Sequence, residues 1–201
     1  SLEARVSEGC SHYYSTTCLY FTHLVQSLKH GNAVKKLKTT FNNFEIAVAP
    51  PNVKYIGLVG AGIIGSGWAA HFLAQGLDVI VTDPHPEAEK HLRMAVENAW
   101  PSLEKLGLAT GASSDRLSFT HSIDKVVNEV DFIQESTPEN EAIKDNVIAA
   151  ISKAAGPNVI IASSTSRILP TRLQKQCQHP ERLIVGHPFN PVYLMPLVEV
   201  V

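Results

Sequence analysis

Cysteine is scarce: Cys10, Cys18 and Cys177 are the only three in 201 residues. Thiols so few and so scattered build neither a disulfide framework nor a Cys-x-x-Cys metal site, and they suit a reducing compartment. Long apolar runs are missing as well. No stretch approaches the roughly 18 residues that mark a membrane-crossing helix, so none is expected and no membrane is expected as a partner. Charge of one sign is not in excess either. Seventeen basic against 19 acidic residues leave a net charge of −2, which gives no overall attraction to nucleic acid or anionic lipid. Repeats and low-complexity tracts are absent from the sequence. What remains, 44% hydrophobic and 18% charged, is the make-up of a globular chain with a core, and excludes disordered and collagen-like classes.

A local shortage divides the chain. Between Glu8 and Glu45 there is no acidic residue, and residues 1–50 hold five basic and three acidic side chains. Leu19, Tyr20, Phe21, Leu24, Val25 and Leu28 are spaced for one amphipathic helix. Such a hydroxyl-rich, acid-poor start is similar to a mitochondrial transit segment, although Arg5 is its only arginine. The first residue is Ser1 rather than Met, so a fragment boundary is an equal reading. His12, His23 and His30 have no metal-ligand spacing and read as surface residues. Pro50 and Pro51 mark the boundary. The expected organisation is an N-terminal extension of unknown role (1–50) and a second domain (51–201). A cytoplasmic location is expected, with a mitochondrial one as the alternative should residues 1–50 be a transit segment.

The second domain begins with a stretch that has a defined use. Tyr55 to Val59 is a short apolar run suited to a buried parallel strand, and it stops at Gly60. Gly60, Gly62 and Gly65, with Ala61, Ile63 and Ile64 between them, spell G-x-G-x-x-G. The first glycine turns the chain, the second lets backbone amides approach a pyrophosphate, and the third lets the following helix lie close on the strand. The N-terminus of that helix offers unpaired N–H groups and a positive dipole end to phosphates. Trp68, Ala69, Phe72 and Leu73 give it an apolar face, and Gly76 closes it. Asp78 to Thr82 reads as the next strand, ending on Asp83, eighteen residues beyond Gly65. A carboxylate there accepts hydrogen bonds from ribose hydroxyls and repels a 2′-phosphate, so the expected cofactor is NAD rather than NADP. The competing reading is a glycine-rich turn in a βαβ unit that holds no ligand.

Beyond Asp83, strands alternate with helices. Helices are expected at 87–106, broken near Pro101, at 123–130, and at 139–155 with Ile143, Val147, Ile148 and Ile151 on one stripe. Strands are expected at 117–119, 130–134, 159–162 and 183–185, the fourth running into Gly186-His187-Pro188. The alternation points to an α/β fold of Rossmann type, a doubly wound and mostly parallel sheet.

The loops after the later strands collect groups suited to oxidising an alcohol. His187 lies at a strand end, and Glu199 follows twelve residues on in what reads as a final strand. Brought together, they form a dyad in which the imidazole takes the hydroxyl proton and the carboxylate fixes its tautomer. Ser166 can hydrogen-bond the alcohol oxygen, and Asn190 can orient a ribose or a substrate carbonyl. Each has a plainer reading: a helix cap for Ser166, a satisfied turn for Asn190, a buried histidine for His187 and a solvent-facing strand residue for Glu199.

At these residues the chain resembles a family. The glycine motif, Glu135-Ser136-Thr137-Pro138-Glu139-Asn140, Ser163-Ser164-Thr165-Ser166, His187-Pro188-Phe189-Asn190-Pro191-Val192 and Pro196-Leu197-Val198-Glu199-Val200 resemble, in order, the NAD-binding domain of the L-3-hydroxyacyl-CoA dehydrogenases, and within that family its carnitine-oxidising branch. The resemblance implies that His187 is the catalytic base, Glu199 its partner, and Ser166 and Asn190 contacts of substrate and nicotinamide. It implies further that Glu139 and Lys144 lie near the nicotinamide-side ribose; their plainer readings are an acid in a first helical turn and a solvated lysine. The family continues past the position of Val201 into an all-helical domain that supplies dimer contacts and much of the substrate pocket, so a homodimer is expected only with that domain. Arg167 stands where the resemblance implies a small residue.

The implied activity is NAD-dependent oxidation of a 3-hydroxy acid. Acyl-CoA enzymes of the family resemble one another in a lysine-rich helical insertion, whereas Pro86 to Arg116 here sets Lys90, Arg93, Lys105 and Arg116 against Glu87, Glu89, Glu97, Glu104 and Asp115, a poor grip on polyphosphate. Carnitine is therefore the expected substrate, a 3-hydroxyacyl-CoA the alternative, and an NAD-binding module without turnover the second alternative. No metal is expected.

Overall fold

Tyr55–Val59 forms β1, buried at four of its five positions, as a strand covered on both faces must be. The computed structural model describes residues 53–201 apart from Glu129 and Pro196. The expectations for residues 1–50 and the Pro50–Pro51 boundary lie outside the described residues. After β1 come α1 (Ile63–Ala74), β2 (Asp78–Thr82), α2 (Ala88–Leu106), β3 (Leu117–Thr120), α3 (Ile123–Val127), β4 (Phe132–Glu135), α4 (Glu141–Ala154), β5 (Ile160–Ser163), α5 (Pro170–Leu173), β6 (Leu183–Pro188) and β7 (Val198–Val200).

The strands make one sheet in the order β3-β2-β1-β4-β5-β6-β7. All neighbours are parallel except β6 and β7, where Gly186 faces Val200, His187 faces Glu199 and Pro188 faces Val198. This is the expected doubly wound sheet. Its strand order reverses between β1 and β4, and at such a switch point the loops on either side diverge and leave a crevice over the carboxyl ends of the strands. The core on one face is built from Val126, Ile133, Ile148, Ile151, Ile161 and Leu183, all at most 1% exposed.

Several elements differ from their sequence expectation. The helix expected to break near Pro101 runs unbroken through it. Pro101 and Glu97 both lie on the exposed face, so the carbonyl deprived of its usual donor is left to water rather than to the core. The helix α1 is buried almost all round rather than along one stripe. The sheet lies under it, and Val192 lies against Gly67, where an added Cβ would come within 3.0 Å of the Val192 Cβ. The helix expected at 123–130 stops at Val127, and β4 starts at Phe132, two residues late. Asp131 fixes that start: its carboxylate accepts from the Lys54 and Tyr55 N–H groups at 2.7 and 2.9 Å.

The next helix begins at Glu141, because the Asn140 side chain caps it by accepting from the Ile143 N–H at 3.1 Å. Its buried stripe is Lys144, Ile148, Ile151 and Ser152, with Ile143 42% exposed. The strand β6 extends three residues past its expected end, because β7 hydrogen-bonds to it as far as Pro188.

Candidate active site

At the end of β1 the chain turns at Gly60 with φ 101°, a conformation that L side chains rarely adopt. A Cβ at Gly60 would lie 2.6 Å from the Ser136 carbonyl oxygen, and one at Gly65 only 1.9 Å from the Gly60 carbonyl oxygen. Those two glycines let three backbones meet. Gly62 differs: nothing lies within 4 Å of where its Cβ would be. That open space stands at the N-terminus of α1, whose cap provides no side chain and whose first turn carries no acidic residue. The first amides of the helix are thus left to a ligand, and an anion suits them. This cradle fits the pyrophosphate of a dinucleotide.

Asp83 does more than sequence reading assigned to it. One carboxylate oxygen accepts from the Ala61 N–H at 2.8 Å and the other from the His85 N–H at 2.9 Å, so the side chain itself holds the glycine elbow in shape. Each oxygen keeps a further lone pair for a ribose hydroxyl.

On the other side of the switch point the polar groups are buried. Glu135, 0% exposed, accepts from the Lys144 ammonium at 2.8 and 3.0 Å, from the Thr137 N–H at 2.6 Å, and from the Thr137 and Ser163 hydroxyls. Lys144, 1% exposed, also donates to the Thr137 carbonyl at 3.1 Å. Lys144 is therefore neither a solvated lysine nor a group that reaches out of the surface. Sequence reasoning missed Glu135, Ser163 and the buried Gln134. The one available signal was two consecutive polar residues, Gln134-Glu135, inside a strand that must be covered on both faces.

Glu139 stands between that buried pair and the next loop. One of its oxygens accepts from the Thr165 hydroxyl at 2.7 Å and from the Ser166 and Arg167 N–H groups at 3.2 and 3.1 Å, while the other lies 3.7 Å from the Lys144 ammonium. Burial pushes its carboxyl up, but the Thr165 hydroxyl, the Lys144 ammonium and the two N–H groups outweigh burial and hold the pKa below the ordinary carboxylate range. Glu139 is not in the helical turn expected for it, because the cap at Asn140 lies after it. Ser166 is exposed, and its hydroxyl has no hydrogen-bond partner among the described residues. It does not cap the following helix, whose cap position is Leu169.

His187 and Glu199 meet. Nδ1 of the imidazole lies 2.8 Å from Oε2 of the carboxylate, with side-chain exposures of 29% and 44%, across the directly paired positions of β6 and β7. An ionised carboxylate only accepts, so Nδ1 carries a proton, and in the neutral ring Nε2 then keeps its lone pair. The Phe189 ring lies 5.9 Å from the imidazole, centre to centre. Asn190, just past the strand, is exposed and its side chain has no partner among the described residues. Since Val59, Glu135, Ser163 and Val185 lie at one level across the sheet, His187 stands at the same carboxyl edge as the glycine elbow, three strands or about 14 Å away. Asp83 stands one strand farther in the other direction. The edge from Asp83 to His187 thus runs across four strand spacings, about 19 Å. Among the described residues no three His, Cys, Asp or Glu side chains come together as a metal site.

Residues 55–201 match the 3-hydroxyacyl-CoA dehydrogenase, NAD binding domain family. Among curated relatives, an L-carnitine dehydrogenase of a Pseudomonas species is 57% identical over 150 residues, which cover 75% of this chain and 47% of that protein. Another, from Burkholderia mallei, is 59% identical over 142 residues, covering 71% and 44%. The chain thus spans about half the length of the curated relatives it matches. Among solved structures, (S)-3-hydroxybutyryl-CoA dehydrogenase from Ralstonia eutropha superposes with a TM-score of 0.67 at 32% identity, over 74% of this chain and 53% of that one. An NAD+-dependent dismutase, 5-formyl-3-hydroxy-2-methylpyridine 4-carboxylic acid 5-dehydrogenase, superposes at 0.68 with 33% identity, over 74% and 48%.

Proposed function

The chain belongs to the 3-hydroxyacyl-CoA dehydrogenase family through its NAD-binding domain, and from that premise we propose that it oxidises a 3-hydroxy acid to the 3-oxo acid, the substrate being L-carnitine. Nε2 of His187 takes the proton of the substrate hydroxyl. Glu199 holds the ring by its Nδ1–H and stabilises the imidazolium that forms. The Ser166 hydroxyl, unengaged within the described residues, donates to the substrate oxygen, and Asn190 orients a substrate carbonyl or the nicotinamide ribose. Glu139, with Lys144 beneath it, shapes the nicotinamide-side ribose site, and Asp83 holds the adenosine ribose. NAD, when bound, supplies the acceptor for the hydride that leaves the carbinol carbon. The 2.8 Å contact of His187 with Glu199, on the same sheet edge as the glycine elbow, supports this reading more than any other feature.

Carnitine is supported by the relatives named L-carnitine dehydrogenase and by the charge of the segment from β2 to β3. Three of its four basic side chains are already paired: Lys90 with Glu87 at 3.7 Å, Arg93 with Glu89 at 2.7 Å and Arg116 with Asp78 at 2.9 Å. Cations so engaged are poor partners for the phosphates of coenzyme A. The family's own description and the structural likeness to a hydroxybutyryl-CoA enzyme favour a CoA thioester as the second reading. Growth of NADH absorbance with L-carnitine and with 3-hydroxybutyryl-CoA, side by side, separates the two. Activity with carnitine is expected; activity with the thioester alone overturns the choice. A cytoplasmic location goes with this reading, and a homodimer only together with the family's helical domain; cell fractionation tests the first, and sizing of the chain with and without that domain tests the second.

Asp83→Ser is expected to relax the preference for NAD over NADP by roughly tenfold or more, the worth of one carboxylate–phosphate repulsion. The ratio of the two dissociation constants measures it, and an unchanged ratio means that the carboxylate serves only the elbow.

A further inference from the structure

Beside the glycine elbow, four polar side chains form a chain of hydrogen bonds whose direction is fixed. The amide nitrogen of Gln134, a residue 0% exposed, lies 3.1 Å from the Gly186 carbonyl oxygen and 2.8 Å from the Ser164 hydroxyl. A carbonyl cannot donate, so the group facing Gly186 is the NH2, and Gln134 donates to both. The Trp68 indole N–H, which also only donates, lies 3.4 Å from the same Ser164 oxygen. Two donors occupy both lone pairs of that oxygen, leaving Ser164 its own hydrogen to give. The acceptor within reach is the Ser136 hydroxyl, at 2.9 Å. Ser136 therefore accepts from below, and its own O–H is left to donate elsewhere.

The position of that donor gives it a use. The Ser136 carbonyl packs on Gly60, and its Cβ lies 3.6 Å from where a Cβ on Gly65 would be, so the side chain sits directly against the elbow. It does so from the β4 side, the direction in which His187 lies. We infer that Ser136 is a cofactor-positioning residue: its hydroxyl, polarised by the Gln134–Trp68–Ser164 relay, donates to an oxygen of the nicotinamide half of NAD, its phosphate or its ribose. The adenosine half, held over β1 and β2, lies outside its reach. The inference rests on NAD binding at this elbow and deepens that assignment. An aliphatic residue at this position has no such donor to offer.

The test is a set of equilibrium titrations of the chain with NAD and with AMP, which carries the adenosine and one phosphate but no nicotinamide half. Ser136→Ala is expected to raise the NAD dissociation constant roughly tenfold, the loss of one hydrogen bond to a polar ligand, and to leave AMP binding unchanged. Ser164→Ala keeps the Ser136 hydroxyl but removes its enforced direction, so a smaller loss for NAD is expected, again with AMP untouched. Ser136→Thr, which retains the hydroxyl, recovers most of the NAD affinity. An unchanged NAD affinity in Ser136→Ala overturns the inference, as does an equal loss for NAD and AMP, which would mark a structural role. A wild-type chain that binds neither ligand overturns the cofactor site itself, a separate result.

Discussion

Replacing His187 with alanine is expected to lower alcohol oxidation by roughly 10²- to 10⁴-fold, the range supplied by a positioned general base, while leaving the affinity for NAD nearly intact. The two effects separate because of where the residues stand. The imidazole lies on β6, and the amides that take the pyrophosphate lie at the start of the helix after β1, three strands away in the sheet. Its partner Glu199 is fixed by the register of β6 with β7, not by any contact with the glycine elbow, so the deletion leaves the elbow as it was. At 29% exposure the ring is no core residue, and its removal opens no large cavity. Steady-state rates read beside an NADH titration make the measurement. Equal losses in turnover and in NAD affinity would make His187 a structural residue and remove the base from the proposed mechanism.

How much of this was legible in the sequence depends on the kind of force involved. The glycine elbow could be read because its constraints are steric and local: Gly60, Gly62 and Gly65 each answer to a backbone brought close by the turn or to the space for a ligand. The parallel sheet could be read because apolar runs separated by helices have few other ways to fold. The meeting of His187 with Glu199 could be anticipated but did not follow from spacing, since it requires β7 to run antiparallel on the edge of an otherwise parallel sheet. Groups that owe their state to partners on other elements were not legible in that respect. Lys144 looks like any lysine on a helix until Glu135, on the preceding strand, is seen beneath it. Helix phase adds to this: the buried stripe runs through Lys144, Ile148, Ile151 and Ser152, which turns Lys144 inward and leaves Ile143 42% exposed. Asp83 was read for its ligand alone, whereas its grip on the Ala61 N–H belongs to the turn.

That buried pair carries the largest stability effect expected in the molecule. Lys144→Met removes the ammonium and leaves the Glu135 carboxylate, 0% exposed, with only neutral donors. Breaking a buried ion pair from one side costs about 3 to 5 kcal/mol, which lowers the melting temperature of a domain this size by on the order of 10 °C. Taking away the second charge reverses much of that. Glu135→Gln combined with Lys144→Met keeps one oxygen to accept from the Thr137 N–H and puts an NH2, in place of the other oxygen, to donate to the Ser163 hydroxyl, so the double variant is expected to melt above the Lys144→Met single variant. The damage also has a direction. Lys144 holds the Thr137 carbonyl and lies near Glu139, which in turn holds the Ser166 and Arg167 N–H groups. Loosening the pair therefore slackens the two loops that carry Ser136 and Ser166 while leaving the glycine elbow tied by Asp83. Thermal melts of the two variants decide the matter: a Lys144→Met protein that melts with the wild type would show that the carboxylate does without its partner, and a double variant below the single one would show that Glu135 stabilises through its hydroxyl donors rather than through the ammonium.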